Sequence, residues 1–334
     1  MTPGNAPTAP AIARFVRRAA AIAVASAALA SASAVLAAQD AKTVLTRAAE
    51  AARTLSYTGT IVYQRGYSVE SSRIVHVNDA GEEQEKLVSL DGPAREVIRA
   101  KGEVRCYYPD AKLVRTEPRT FRNAFPSLSP QQLASLSQYY RVKAGEGGRV
   151  AGIDARSWRF EPKDGLRYSH EFWTDPATGM LLKARTLNER GEPVEQFAFS
   201  DLAIGRAIDP EAARPTFTDL PAGWREKRAQ FDAKEIVDTG WVVPKVPDGF
   251  VKIMEVRRDL RDRPGALSQI VFSDGLVSIS VFIEQRGGRQ RGIGRARMGG
   301  INQYSVKLDD YVITALGEVP AETVRMLANS VTRR

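Results

Sequence analysis

"DGLRYSHEFWTDPATGMLLKARTLNERGEPVEQFAF" (164–199) holds three strand-like runs separated by two turn signals, "DPATG" (175–179) and "NERGE" (188–192). Asp, Asn, Pro and Gly favour tight turns because they supply local hydrogen bonds, a fixed φ or access to φ > 0. Short runs joined by such turns are sequential hairpins, which predicts an antiparallel sheet. Within 166–173, Tyr168, His170 and Phe172 alternate with Arg167, Ser169, Glu171 and Trp173, so both faces carry large side chains.

The same pattern extends toward the N-terminus. "YTGTIVYQ" (57–64), "SSRIVHV" (71–77), "EKLVSL" (85–90), "REVIRA" (95–100) and "EVRCYY" (103–108) are strand-like, with turns at "NDAGEE" (78–83), "DGP" (91–93) and "YPDAK" (108–112). Further strands are expected at 155–162 and 193–204. Two helices are expected on this sheet. In "DAKTVLTRAAEAARTL" (40–55), Val44, Leu45, Ala48, Ala52 and Leu55 share one face. "LSPQQLASLSQYY" (128–140) has Ser129 as N-cap and Pro130 in the first turn. A strongly curved sheet of this kind suits a lipid-sized cavity, with Ile61, Tyr63, Val75, Leu87 and Trp173 as candidate lining residues; a plainly packed core is the competing expectation.

A polar, Pro-interrupted stretch at 205–240 separates this half from a smaller one. There, "FVKIMEVRRDL", "GALSQIVF" and "LVSISVFIEQ" are strand-like, with "SDG" (273–275) as a hairpin turn. "INQYSVKL" and "YVITALGEV" follow, and Pro320 opens a helix with Val324, Leu327, Ala328 and Val331 on one face. The expected fold is α+β: a large curved antiparallel sheet with packed helices, and a smaller α+β domain. The expected boundaries are 39–215 for the large domain, 216–240 for a linker and 241–334 for the small domain.

The N-terminus reads as a leader. "RFVRR" (14–18) supplies three positive charges, and the uncharged "AAAIAVASAALASASAVLA" (19–37) follows. That is the build of a secretory signal peptide over 1–38, with cuts open after Ala34, Ala37 or Ala38. A membrane anchor is the alternative, but the run is Ala-rich and at the short limit for a span. The chain has 334 residues and a formal net charge of +9, three of which lie in the leader. Its single cysteine, Cys106, permits no intramolecular disulfide.

Catalytic patterns are missing. The two histidines, His76 and His170, lie far apart in strand-like runs without a metal-ligand partner at helical spacing, so packing roles are expected. No G-x-S-x-G elbow occurs, and "GIGRARMGG" (292–300) breaks the dinucleotide pattern. No enzyme activity and no cofactor are expected. The feature left over is "QRGGRQRGIGRARMGG" (285–300), with Arg286, Arg289, Arg291, Arg295 and Arg297 and no acid. It is expected to form a mobile basic loop. Guanidinium groups suit phosphate and carboxylate, and export removes nucleic acid from the candidate anions. Anion binding and mere solubilisation both stay open.

Segments spread over the chain resemble the MucB/RseB family: "DGPAREVIR" (91–99), "LSPQQLASLSQYY" (128–140), 164–199, "WVVPKVPDGF" (241–250), "SDGLVSISV" (273–281) and "GEVPAETVRMLANSV" (317–331). The resemblance implies a lipoprotein-carrier-like half-barrel, a linker and a smaller domain. It implies a periplasmic regulator of envelope-stress signalling that binds the periplasmic part of a membrane-spanning anti-sigma factor. It also implies protection of that partner from proteolysis, with release by lipid or lipopolysaccharide. A lipid or lipoprotein carrier is the alternative, and self-association stays open. The family varies in length and composition around 285–300, so the arginines inherit no role.

Overall fold

Alternation at 193–204 and 301–308 becomes strand over those same residues, Pro193–Ile204 and Ile301–Leu308. The computed structural model describes residues 43–79, 81–118, 136–205, 208–228, 237–259, 266–285 and 292–334. The expected leader, Ser129 and Pro130 lie outside these.

Helix α1 spans 43–54. Six strands follow: β1 (Tyr57–Arg65), β2 (Ser68–Asp79), β3 (Glu82–Ser89), β4 (Glu96–Ala100), β5 (Glu103–Tyr108) and β6 (Leu113–Pro118). Helix α2 is described over 136–139. Then come β7 (Tyr140–Ala144), β8 (Gly148–Val150), β9 (Ile153–Pro162), β10 (Ser169–Thr174), β11 (Leu181–Leu187), β12 (Pro193–Ile204) and β13 (Arg225–Arg228). These form one thirteen-stranded sheet in the order β13-β6-β5-β4-β3-β2-β1-β12-β11-β10-β9-β7, with β8 beside β9. Each described pair is antiparallel except β13–β6. A second, six-stranded sheet contains β15 (Val251–Asp259), β16 (Ala266–Ser273), β17 (Ser278–Gln285), β18 (Gly294–Met298), β19 (Ile301–Leu308) and β20 (Tyr311–Gly317), in the order β15-β16-β17-β20-β19-β18. Helix α3 (Ala321–Ser330) packs on it, and β14 (Trp241–Val242) pairs with β21 (Thr332–Arg333) to clasp the end.

Burial explains α1 and α3. The α1 stripe is Leu45, Ala48 and Ala51; Ala52, expected in that stripe, is only half-buried. Leu45 and Ala48 meet Phe160 and Phe172 on the sheet, while Ala51 meets the cluster of Tyr57 and Phe199. In α3, Val324, Leu327 and Ala328 close over Ile279, Val281, Ile313 and Ala315. Burying a side chain such as Leu327 contributes about 1.5–3 kcal/mol.

The stretch expected as a free linker is partly structured. Phe217 and Trp224 pack on Ile98, Tyr107 and Val114, and Arg225–Arg228 extends the large sheet in parallel with β6. A buried carboxylate ties each end. Glu96 accepts from Thr216 N (2.8 Å) and Thr216 Oγ1 (2.6 Å). Glu255 accepts from Thr239 N (2.9 Å) and Thr239 Oγ1 (2.6 Å). The described ends of this polar stretch therefore lie close on the two sheets because their backbone donors and Thr hydroxyls find fixed acceptors.

Candidate functional site

Directly opposed residues on neighbouring strands share a sheet face. Gly59 opposes Ile74, and Ile74 opposes Leu87. Ile61 and Tyr63 follow Gly59 at two-residue spacing, so Ile61, Tyr63 and Leu87 line one face, each half-buried. This is the face whose Tyr57 meets α1. Val75 opposes Thr58 and Lys86, which puts it on the other face. Trp173 opposes Lys183, Lys183 opposes Ala198 and Ala198 opposes Val62, so Trp173 also shares the other face. It lies beneath the Lys183 ammonium at 4.6 Å and the Arg185 guanidinium at 5.3 Å. Burial, with help from Arg185, holds the Lys183 pKa below the ordinary lysine range. By register the expected five-residue lining divides into three and two, while Trp173 packs against the same buried cluster as Ile61 and Leu87.

The arginine stretch is corrected in part. Arg295 and Arg297 lie on β18, a strand, rather than in a mobile loop. β18 pairs with β19 and ends the sheet order. Both arginines are exposed, as is Met298. Arg286, Arg289 and Arg291 lie outside the described residues. Beside this edge is the β1–β2 hairpin tip of the large sheet: Gly66 and Gly299 approach so closely that a Cβ on Gly66 would stand 3.4 Å from the Gly299 Cα. Tyr67, at that tip, is fully exposed.

The most ordered polar constellation is one that sequence reading passed over. It lies where the two sheets meet. Arg167, in the turn before β10, has no exposed side-chain surface. Its Nη1 donates to Asp274 Oδ2 at 3.0 Å, its Nη2 to Asp248 O at 2.6 Å, and its Nε to Asp164 Oδ2 at 3.1 Å. The guanidinium stacks among Phe250, Tyr139 and Tyr140 at 5.0, 5.2 and 5.6 Å from the ring centroids. Tyr140 Oη also donates to Asp274 Oδ2, at 2.8 Å. Asp274 Oδ1 accepts from Leu276 N and Val277 N, both at 3.0 Å, which fixes the β16–β17 turn. That turn presents Leu276, 5% exposed, to the core of the first sheet, among Tyr140, Phe160 and Phe172. Nearby, Asn302 Nδ2 donates to Tyr168 Oη at 2.9 Å, and Thr323 Oγ1 to Leu166 O at 2.8 Å.

Low dielectric makes such a network strong when complete and costly when broken. Burial pushes the Tyr140 hydroxyl well above the usual tyrosine range, and the Asp274 carboxylate adds to this. Burial also holds the pKa of His170 below that of ordinary histidine, although Asp274 and Glu318 pull the other way. His170 is buried, with Thr186 Oγ1 3.4 Å from Nδ1. His76 is buried too, stacked on Tyr57 at 4.8 Å with Nδ1 2.8 Å from Leu55 O. Cys106 is half-buried, and burial raises its thiol pKa, with the Glu117 carboxylate adding to the rise. Among the described residues, no group of three or more His, Cys, Asp or Glu is placed to hold a metal ion. No described helix is long and apolar enough to cross a membrane.

A signal for the seam was present. Asp164, Arg167 and Tyr168 come from "DGLRY", Tyr139 and Tyr140 from "SQYY", Asp248 and Phe250 from "PDGF", Asp274 and Leu276 from "SDGL", and Thr323 from "PAETV". These are five of the segments that carry the family resemblance, and they converge at one place. Each reads locally as a turn or a strand end, which hides the long-range partner.

The MucB/RseB N-terminal domain family matches residues 40–217, and the MucB/RseB C-terminal domain family matches residues 235–332. The sigma factor AlgU regulatory protein MucB of Pseudomonas aeruginosa is 33% identical over 309 residues, which is 88% of this chain and 91% of that protein. The sigma-E factor regulatory protein RseB of Salmonella typhimurium is 27% identical over 288 residues, 84% of this chain and 87% of that protein. The crystal structure of MucB in complex with MucA(peri) aligns with a TM-score of 0.69 at 29% identity, covering 88% of this chain and 99% of that one.

Proposed function

The chain belongs to the MucB/RseB family, and on that premise we propose that it is a non-catalytic periplasmic regulator of a sigma factor. Its partner is the periplasmic part of a membrane-spanning anti-sigma factor, which it shields from regulated proteolysis. The observation that carries this reading is the match, over nearly the whole chain, to a MucB solved with MucA(peri) bound. Binding by a regulator of this kind needs shape and affinity, not bond chemistry. A ligand that prefers the free regulator releases the partner by mass action. Lipid or lipopolysaccharide fills that role in this reading. Two surfaces suit it: the half-buried apolar face of Ile61, Tyr63 and Leu87, and the basic edge of Arg295 and Arg297, which Arg286, Arg289 and Arg291 precede in the sequence.

The test mixes the purified chain with the periplasmic segment of an anti-sigma factor from the same cell and adds a site-specific protease. The segment's half-life is expected to lengthen, and anionic lipid is expected to shorten it again. An unchanged half-life sinks the regulator reading.

The apolar face also favours a second reading, a lipid or lipoprotein carrier. Native mass spectrometry of the chain purified from an envelope fraction separates the two. Stoichiometric bound acyl chains, without protection of the anti-sigma segment, favour the carrier.

A further inference from the structure

The small sheet ends in an open edge. β18 pairs with β19 and closes the strand order. Met298 and Ile301 flank the two-residue turn Gly299–Gly300 and form a hydrogen-bonded pair, and bonded and non-bonded pairs alternate from there. Arg295 and Arg297, opposite Tyr304 and Asn302, fall at the non-bonded positions. Their backbone N–H and C=O groups therefore point away from β19, and no described backbone group meets them. The opposite edge of the sheet is different. There Val237 N donates to Glu255 O of β15 at 2.9 Å, and the Thr239 backbone is tied down beside it.

Side chains divide the open edge by face. Arg295 continues the cross-strand row Val281, Ala315 and Tyr304, on the face that carries α3. Arg297 is two residues on and shares that face. Ala296 and Met298 point the other way, and Met298 is 64% exposed. Past the turn stands Tyr67, fully exposed at the β1–β2 tip. Neither guanidinium makes a salt bridge among the described residues. Glu322 and Glu192 lie within electrostatic reach of Arg295 and Arg297. They are already engaged, by Arg325 at 2.7 Å and Arg190 at 3.0 Å. Arg297 Nε donates to Gly299 O at 2.9 Å, within its own turn.

We propose that the β18 edge accepts an added strand from a partner protein, an extended segment in which acidic and apolar residues alternate. The backbone groups of Arg295 and Arg297 supply the ladder for such a strand. Successive side chains of the segment point to opposite faces, so its acids meet Arg295 and Arg297 while its apolar residues meet Ala296 and Met298. Opposite charges on facing strands stabilise the pair, and like charges destabilise it. A second copy of this chain is therefore disfavoured, because two β18 edges would set arginine against arginine. Anionic lipid meets the charges but offers no backbone to the edge. The inference concerns one edge of this chain, and its probe is a synthetic peptide, so it stands or falls apart from the anti-sigma reading.

The experiment follows fluorescence anisotropy of a short labelled peptide of alternating Glu and Val as the purified chain is added at low salt. Saturable binding is expected, weakening as salt rises. Arg295→Gln combined with Arg297→Gln is expected to weaken it about fivefold, since two exposed ion pairs are lost. Circular dichroism checks that this variant folds. Methylating the peptide's own backbone nitrogens separates strand addition from charge attraction and leaves the protein unaltered. Methylation of one alternate set, the glutamates or the valines, is expected to abolish binding, and of the other to spare it, because only every second N–H of an added strand faces its neighbour. A peptide of the same composition with its glutamates in one block is expected to bind more weakly. No saturable binding at low salt overturns the proposal. Equal tolerance of the two methylations, or equal binding of the block peptide, does so too. Binding of phosphatidylglycerol vesicles in place of the peptide makes lipid the ligand of this edge and also overturns it.

Discussion

The Arg167 guanidinium of the large sheet stands 3.0 Å from the Asp274 carboxylate of the small one, and both side chains are almost wholly out of solvent. Breaking such a pair leaves the remaining charge buried and uncompensated, which costs about 3–5 kcal/mol. Asp274→Ala is therefore expected to lower stability by that order, and it also strips Tyr140 of its acceptor. Arg167→Met combined with Asp274→Asn is expected to lose less than Asp274→Ala, because no charge is stranded. Urea unfolding followed by tryptophan fluorescence decides this. A double variant at least as unstable as the single one would contradict it.

Gly249 has φ +85°, and a Cβ there would stand 2.4 Å from the Tyr139 ring. Both the backbone and the ring resist a side chain. Gly249→Ala is expected to lower the melting temperature by several degrees, equivalent to about 1–3 kcal/mol. Gly223 also has positive φ, but with nothing near its Cβ position, so Gly223→Ala is expected to cost less. Equal shifts for the two would show that the Tyr139 contact is unimportant.

His170 makes stability depend on acid pH. Its folded pKa is held below the ordinary value of 6.5, burial being the main cause. The unfolded chain takes up the proton first, so the neutral form's stability is complete above about pH 6.5 and is lost as pH falls below it. The loss cannot exceed about 1.4 kcal/mol per pH unit for one proton. His170→Gln is expected to be less pH-sensitive between pH 6.5 and 5 than the unaltered chain. Every other titrating group is common to both proteins, so the difference isolates His170. Parallel stability curves would refute the assignment.

The basic stretch is testable by salt. Replacing Arg286, Arg289, Arg291, Arg295 and Arg297 by Gln is expected to weaken binding to anionic vesicles and to flatten its salt dependence. Each exposed contact contributes about 0–1 kcal/mol, so the effect is expected only from the set. Screening acts over about 8 Å at physiological ionic strength, so the gap between the two proteins is expected to narrow with salt. Unchanged affinity at low salt means that the arginines only keep the domain soluble.

Much of the architecture was legible in the chain. Alternation and turn chemistry located β12 and β19 to the residue, and the apolar spacing after Pro320 located α3, because strand and helix periods are local properties of the sequence. Alternation also contained the division of the apolar face, since Ile74 and Val75 point opposite ways whatever the fold. Only the tertiary structure showed that Trp173 faces with Val75 by register yet packs against the same buried cluster as Ile61, because facing across four strands depends on pairing and bulges. β18 was hidden by its glycines and arginines, which look like loop; its strand form comes from the β19 ladder. The seam was least legible. Asp164, Arg167, Asp248 and Asp274 each look like turn chemistry, and nothing local says that one buried guanidinium gathers three of them. Sequence separations of 81 and 107 residues divide Arg167 from Asp248 and Asp274, and contacts that long exist only once both sheets have formed and closed on each other.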